Sequence, residues 1–390
     1  MKIALAAPSE IPARRANTVQ VMKMAQALVT CGHEVRLAAP ERGSRASRRR
    51  PQWEELARLY GLHARFEVSW LPAFAALRGY DYGLAALLWA RRWKADLLYT
   101  RLPQAAAFAS QIGMPTVLEV HDLPAGRVGG LLFRSFTSGR GARRLVAITQ
   151  ALAGDLARRF DLPERPGFLL AAPDGVDLQR YEPQLSVMQA RQRLSQQTGL
   201  SLPEEAFTAG YSGHLYAGRG IELILQMAQA LPGIQFLLAG GEPEDVQRLK
   251  QRAAQMGLNN LMAVGFVDNE ILPLYQAACD VLLMPYQKQV AGSSGGNIAP
   301  YLSPMKLFEY LACGRPILSS DLPVLGEVLN AGNSLILPAE QSEAWVQALA
   351  ALQSDPQRRS ELGTQARREA ARYSWEARSR LIFGDLDKNA

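Results

Sequence analysis

The sequence predicts an α/β protein of two doubly wound domains, each a parallel sheet covered by helices on both faces. Three observations predict it. At 390 residues the chain is too long for one average domain. Short unbroken apolar runs alternate with helical patterns, as buried parallel strands and their crossover helices do. The alternation breaks once, near residues 181–183, and restarts at Phe207. Hydrophobic residues make up 48% of the chain and charged residues 20%, which supplies two cores.

The first strand is expected at residues 3–7. Its apolar run is too short for a secretory leader and is followed by Ser9-Glu10 and a helical pattern. Asn17 or Thr18 is expected to cap a helix with Val21, Met24, Ala25 and Leu28 on one face. Gly32 ends that helix, and residues 34–39 form the next strand. Further strands are expected at residues 97–100, 116–120 and 145–148. After a Gln-rich helix they resume at residues 207–211, 236–239, 262–264, 281–284, 316–318 and 334–337. The expected domains are 1–185 and 186–375. Open parallel sheets bind ligands at the carboxyl ends of their strands, so two such sheets facing each other would share one site in the cleft.

Composition narrows the function. No apolar run is long and clean enough to span a bilayer, so a cytoplasmic protein is expected, or one peripheral at the inner face of the membrane. Cys31, Cys279 and Cys313 fit no metal spacing and are read as buried free thiols. The net charge of +7 is uneven: residues 1–185 hold 26 Lys+Arg against 16 Asp+Glu, and the rest hold 17 against 20. Basic clusters fall at Arg42, Arg45, Arg48, Arg49 and Arg50, and at Arg134, Arg140, Arg143 and Arg144. Such patches attract nucleic acid, acidic lipid or phosphorylated substrate, or are ordinary solvated surface. No nucleic-acid motif or aromatic platform accompanies them, so no nucleic-acid partner is expected. Residues 130–136 mix apolar and basic side chains, as an interfacial segment does, or as a helix packed on the sheet does.

Three stretches carry candidate chemistry. In the first, Ser303-Pro304-Met305-Lys306-Leu307-Phe308-Glu309, Ser303 is an N-cap and Pro304 suits the first helical position. Gly314 ends the helix, and the loop Gly292-Ser293-Ser294-Gly295-Gly296 precedes it. A helix N-terminus is an anion site, and Lys306 in a first turn makes sense beside a bound anion. Glu309, one turn on, is close enough to share the site. The alternative is a capped helix with a solvent-facing Lys–Glu pair. The second stretch, Tyr211-Ser212-Gly213-His214-Leu215-Tyr216-Ala217-Gly218-Arg219-Gly220, again puts a cation at a helix start after a strand. His214 donates to a phosphate or sugar oxygen, or caps the strand. A diphosphate held by both turns explains both cations. The third is Glu119-Val120-His121-Asp122 at a strand's carboxyl end, where His121 is either functional or structural.

In this order the stretches resemble family 4 of the glycosyltransferases, retaining enzymes of the GT-B fold with two Rossmann-like domains. The likeness covers nearly the whole chain. It includes Gly213-His214-Leu215-Tyr216-Ala217-Gly218-Arg219-Gly220, Asp174-Gly175-Val176-Asp177, Ala239-Gly240-Gly241, Val264-Gly265-Phe266-Val267, Asp280-Val281-Leu282-Leu283-Met284-Pro285 and Tyr373-Ser374-Trp375-Glu376. The family's paired glutamates lie eight positions apart; Glu309 matches the second, and Tyr301 stands where the first belongs. His214 and Arg219 replace the usual Arg and Lys, and the turn over residues 9–16 carries Arg14 and Arg15 instead of glycines. A variant subgroup is implied.

The resemblance implies transfer of a sugar from a nucleoside-diphosphate sugar to a hydroxyl acceptor, saccharide or lipid-linked, in glycolipid, lipopolysaccharide or exopolysaccharide synthesis. It implies a helix over residues 376–390 crossing back to the first domain. It implies catalytic roles for His121, Arg219, Lys306 and Glu309, the last toward ribose. Donor contacts fall on Gly213, His214, Gly241, Phe266, Val267, Ser303, Pro304, Met305 and Leu307. Arg14, Arg15, Asn17, Arg101 and Asp122 lie on the acceptor side. Fixed cations and helix amides can stabilise a departing diphosphate without a metal, and no cofactor is expected. Asp385-Leu386-Asp387 is discounted as a metal motif in a frayed tail. A nucleotide-sugar epimerase of the same fold and a non-catalytic nucleotide-sugar-binding subunit remain as alternatives.

Overall fold

In parallel sheets buried on both faces, strand residues need apolar neighbours above and below, and this chain provides them twice. The computed structural model describes residues 1–41, 50–292 and 296–386. They divide into one unit of Met1–Asp174 with the stretch from Trp375 onward, and a second of Gly175–Ser374. The first unit holds β1 (Lys2–Ala6), β2 (Glu34–Glu41), β3 (Glu67–Pro72), β4 (Leu97–Thr100), β5 (Thr116–Val120), β6 (Ala142–Ala147) and β7 (Leu169–Ala171). Their order is β3-β2-β1-β4-β5-β6-β7, all parallel. The second unit holds β8 (Thr208–Ser212), β9 (Gln235–Ala239), β10 (Leu261–Gly265), β11 (Val281–Met284), β12 (Ile317–Ser320) and β13 (Leu335–Leu337), in the parallel order β10-β9-β8-β11-β12-β13. The strand order reverses between β1 and β4 in the first sheet and between β8 and β11 in the second. Those are the points where such sheets open a crevice for ligands.

The cores follow the two-residue strand period. Leu237, Ala239, Leu282 and Met284 face one hydrophobic cluster of the second unit, with Leu307, Phe308 and Leu311 from the helix Met305–Cys313. Phe236, Leu238, Val281 and Leu283 face the other, with Ile224, Met227 and Trp345.

Two strands were not expected from the pattern. β3 and β7 are edge strands with partly exposed residues, so neither reads as an unbroken apolar run. The unit boundary lies at Asp174, not at 185, because Val176 and Tyr181 are buried in the second unit's core. The first helix, Ala16–Thr30, starts earlier than expected and is capped by Arg15 without a side-chain bond. Thr18 sits inside the first turn, and its hydroxyl turns back to the carbonyls of Ala13 and Arg15 at 2.7 and 2.8 Å. Asn17 donates to Ser9 at 2.7 Å.

Several arginines are anchors rather than surface charge. Arg144 is buried and pairs through both terminal nitrogens with Asp385, at 2.8 and 2.6 Å. The stretch at 385 is therefore held, and Arg144 leaves the basic patch; Asp387 lies outside the described residues. Arg42, Arg45, Arg48 and Arg49 also lie outside them, and Arg50 pairs with Glu41 at 3.6 Å. Cys279 and Cys313 are buried free thiols, whereas Cys31 is only partly buried.

Arg191, on the Gln-rich helix Val187–Thr198, is the densest anchor. Buried, it donates to the carbonyls of Ala278, Pro203, Glu204 and Ala206, to the Thr208 hydroxyl, and to Asp280 at 2.8 Å. Removing one partner of a buried pair strands the other. Arg191→Met is therefore expected to lower the stability of the second unit by about 3–5 kcal/mol in urea unfolding. A loss below about 1 kcal/mol would show that water replaces these bonds.

Candidate functional site

The second unit brings Arg219, Lys306 and Glu309 together beside its topological switch point. β8 ends at Ser212, and Gly213 follows with φ +133°. A Cβ at Gly213 would stand 2.8 Å from Lys306 Nζ, so glycine there lets the lysine lie against the backbone. Lys306 Nζ is buried and has no hydrogen-bond partner. It sits 3.7 Å from the Tyr211 ring centroid and 5.5 Å from that of Tyr286. Arg219 lies between Gly218 and Gly220, whose backbones press against the carbonyls of Gln289 and Pro285. It donates to the Tyr286 hydroxyl at 3.1 Å and lies 5.2 Å from that ring's centroid, and its Nε is buried without a partner.

Glu309 does not pair with Lys306. Its Oε2 accepts from Gln276 at 3.1 Å; Gln276 also donates to Ser212 and accepts from Tyr181. A solvent-facing Lys–Glu pair is therefore not what the sequence encodes. Two cations meet π faces, one phenol and one glutamate that is already bonded. Burial first, and then the Arg219 charge, push the Lys306 pKa well down, against the pull of Glu309. Burial and both cations also lower the His214 pKa. Such a place has the charge to accept an anion.

The helix that carries Lys306 runs Met305–Cys313, with Pro304 as N-cap and Gly314 closing it at φ +68°. Ser303 is thus one residue outside the cap, because Pro304 is extended at ψ 128°. The first-turn amides at Met305 and Lys306 have no acceptor within the helix. Leu307 points into the core, so its side chain is not a ligand contact. His214 stacks on Tyr216, with centroids 4.7 Å apart, rather than capping β8. Gly241, at φ +90°, packs against Leu215; Phe266 is exposed, and Val267 lies against the core. Of the loop at residues 292–297, Asn297 accepts from the amides of Val290 and Ala299; residues 293–295 lie outside the described residues. Tyr301 closes the short turn Ala299–Tyr301.

The first unit gathers a second constellation at the end of β5. Glu119 is fully buried, and each of its oxygens accepts twice. Oε1 takes Gln20 Nε2 at 2.7 Å and His121 Nε2 at 2.5 Å. Oε2 takes the Tyr99 hydroxyl and Arg378 Nη2, the latter at 2.8 Å. Arg101 joins through the Gln20 carbonyl oxygen at 3.3 Å. Burial alone would raise the Glu119 pKa; Arg378, His121 and Arg101 outweigh it and hold the carboxyl well below its usual range. Burial, then Arg101, push His121 down to about 4, while burial pushes Asp174 up to about 7. Glu119, His121 and Asp174 present ligand atoms within 4.8 Å of one another. The Glu119 carboxylate already accepts four hydrogen bonds here, with Arg378 and Arg101 close by. Arg14, Arg15 and Asp122 are exposed, and Asp122 accepts from the amide of Leu123.

Sequence reasoning did not single out Tyr286, Gln276, Tyr99, Gln20 or Arg378. Arg378 had a signal: it occupies the buried face of its helix together with Trp375, Ser379 and Ile382.

Residues 192–369 match the family described as Glycosyl transferases group 1, and residues 18–180 match Glycosyltransferase Family 4. The chain belongs among the glycosyltransferases. A D-inositol 3-phosphate glycosyltransferase of Xylanimonas cellulosilytica is 28% identical over 302 residues, covering 75% of this chain and 66% of its own. One from Corynebacterium urealyticum is 28% identical over 247 residues, covering 60% and 53%. The chain thus spans between about half and two thirds of these relatives' lengths. Anabaena HepE, solved in complex with UDP, superposes with a TM-score of 0.72 at 18% identity, covering 100% of both chains. With the two parallel sheets, this likeness gives the glycosyltransferase its GT-B fold.

The buried lysine yields a stability test. Its folded pKa is depressed below the ordinary 10.5, so burying this group costs stability at neutral pH, where the unfolded lysine is protonated, and the cost fades as pH rises toward 10.5. Lys306→Met is expected to stabilise the ligand-free glycosyltransferase by about 1 kcal/mol at pH 7, less at higher pH. A fall in the thermal midpoint would mean that the lysine is already compensated.

Proposed function

We propose that this glycosyltransferase moves a sugar from a nucleoside-diphosphate sugar to a hydroxyl acceptor with retained anomeric configuration. The observation that carries it is the buried Lys306 ammonium with no hydrogen-bond partner, beside Arg219. When the bond from the anomeric carbon to the diphosphate breaks, negative charge grows on the leaving oxygens. Arg219, Lys306 and the first-turn amides of Met305 and Lys306 are fixed dipoles and charges for that moment. The acceptor oxygen then bonds to the anomeric carbon on the same face. Its proton leaves with the diphosphate or to water. Glu309, steadied by Gln276, is read as the ribose ligand, and His121 as the group that orients the sugar or acceptor. No metal is needed on this reading. HepE is solved in complex with UDP and UDP-glucose, which supports a uridine donor as the first to try.

With Tyr301 in place of the first glutamate, the chain is read as a variant subgroup whose grip on the sugar comes from other residues. A non-catalytic nucleotide-sugar-binding subunit is the competing reading. A thermal-shift panel of nucleoside diphosphates and their sugars, followed by donor hydrolysis, decides. One nucleotide should raise the midpoint, Arg219→Ala and Lys306→Ala should each weaken its binding at least tenfold, and hydrolysis should be measurable. No response to any nucleotide contradicts the reading. Binding without turnover supports the subunit.

The acceptor is read as a saccharide or lipid-linked molecule in glycolipid, lipopolysaccharide or exopolysaccharide synthesis, met at an anionic membrane face. No helix among the described residues is long and apolar enough to cross a membrane. In the segment at residues 130–136, Phe133 and Phe136 are buried, leaving Leu131 and Arg134 outside. A broader apolar stripe lies on the helix Tyr80–Arg92, where Tyr80, Leu84 and Leu88 are exposed at four-residue spacing. Phe74 and Leu77 precede it, and exposed Arg78, Arg91 and Arg92 border it. Flotation with vesicles containing phosphatidylglycerol should recover the protein at low salt, release it at high salt, and lose it in Leu84→Glu/Leu88→Glu. Absence of salt-sensitive binding sinks this part.

A further inference from the structure

The C-terminal helix Trp375–Phe383 sends one charged side chain into the core of the first unit. Arg378 is 3% exposed, and every nitrogen of its guanidinium is engaged. Nε donates to the Pro173 carbonyl at 2.8 Å, and Nη2 to the Ala172 carbonyl at 3.1 Å and to Glu119. Nη1 meets the Tyr99 hydroxyl at 3.3 Å and Met24 Sδ at 3.4 Å. Nothing in the chemistry of sugar transfer requires this arginine, which lies 257 positions from His121 and does not touch it.

Its effect passes through Glu119. Four donors fill the lone pairs of that carboxylate: Gln20, Tyr99, Arg378 and His121 Nε2. An ionised carboxylate only accepts, so the imidazole must donate from Nε2. The charged and titratable groups facing His121 are Glu119 on β5, Arg101 just beyond β4, Asp174, and Arg378 on the C-terminal helix. Burial first, then the Arg101 charge and last the Arg378 charge disfavour a protonated ring, and Glu119 alone does not overcome them. The His121 side chain remains 22% exposed, so part of the ring is open to a ligand.

We infer that Arg378 is a positioning residue for His121: acting through Glu119, it holds the imidazole neutral with its hydrogen on Nε2 and leaves Nδ1 as acceptor for a substrate hydroxyl. This rests on the reading of His121 as the group that orients the sugar or acceptor. Without Arg378, the buried Glu119 charge has lost its nearest cation and draws a proton onto the ring. Nδ1–H then donates where it should accept.

Two measurements on the full chain test this. In 15N-labelled protein, the His121 ring should show hydrogen on Nε2 only and should not titrate between pH 6 and 8. Hydrogen on Nδ1, or titration near the ordinary value of about 6.5, overturns the inference. In Arg378→Met the ring should titrate near neutrality. At pH 6, kcat should fall about tenfold or more, with the donor KM changed by less than about threefold. Arg378→Lys should restore the pH profile, and Ile382→Val, a cavity in the same helix, should leave it unchanged. An Arg378→Met profile parallel to the parent's means a purely structural arginine. Should that variant not fold, the tautomer in the parent protein decides. The ring measurement needs no donor, so it stands even if no nucleotide-sugar is bound or turned over.

Discussion

The constraint on which the candidate site of the second unit depends is a buried ammonium with nothing to donate to. A lysine at a first helical turn already opposes the helix dipole. Here it is also taken out of water, laid on Tyr211 and set near a second cation. Groups held at such a cost cluster at sites of function, which is the reason for proposing one here. The surrounding glycines fit the same purpose. Gly213 makes room for Lys306, and Gly218 and Gly220 let the Arg219 turn pass close to residues 285–290. The Lys306 ammonium and the Arg219 Nε have no hydrogen-bond partner within the protein, although Arg219 also donates to the Tyr286 hydroxyl.

The first unit solves the opposite problem. Glu119 is a buried anion on β5, and four donors offset its charge, from the first helix, β4, the C-terminal helix and the residue that follows β5. Taking the arginine from the last helix makes the chain's end part of the environment of His121. The tail is tied in twice, by Arg378 at Glu119 and by Arg144 at Asp385. A polar network in which every lone pair is used fixes a tautomer as firmly as it fixes a rotamer.

The interior strands were legible because they are unbroken apolar runs, and β4, β5 and β11 begin and end where the pattern does. The edge strands were not, because half-exposed strands lack that signature. Lys306, Arg219 and Glu309 stood out as charges at helix starts, a local feature. Tyr286, Gln276 and Arg378 did not, because their importance lies in what a distant strand or helix places opposite them. Arginine is ambiguous in the same way. Arg144, read as surface charge, is a buried anchor. Caps slipped by a residue or two, at Ser303 and Asn17, where an extended residue or a back-bonded threonine moved the helix start.

Proton counting on nucleotide binding tests the central claim most directly. A diphosphate placed against Lys306 should return its pKa toward the ordinary range, so binding should draw a proton from solvent. Calorimetry of UDP binding at about pH 9, where the diphosphate is fully ionised, in two buffers of different ionisation enthalpy, reports that uptake. The account predicts net proton uptake on binding, abolished in Lys306→Met. Tight binding with no proton taken up, in parent and variant alike, would contradict it.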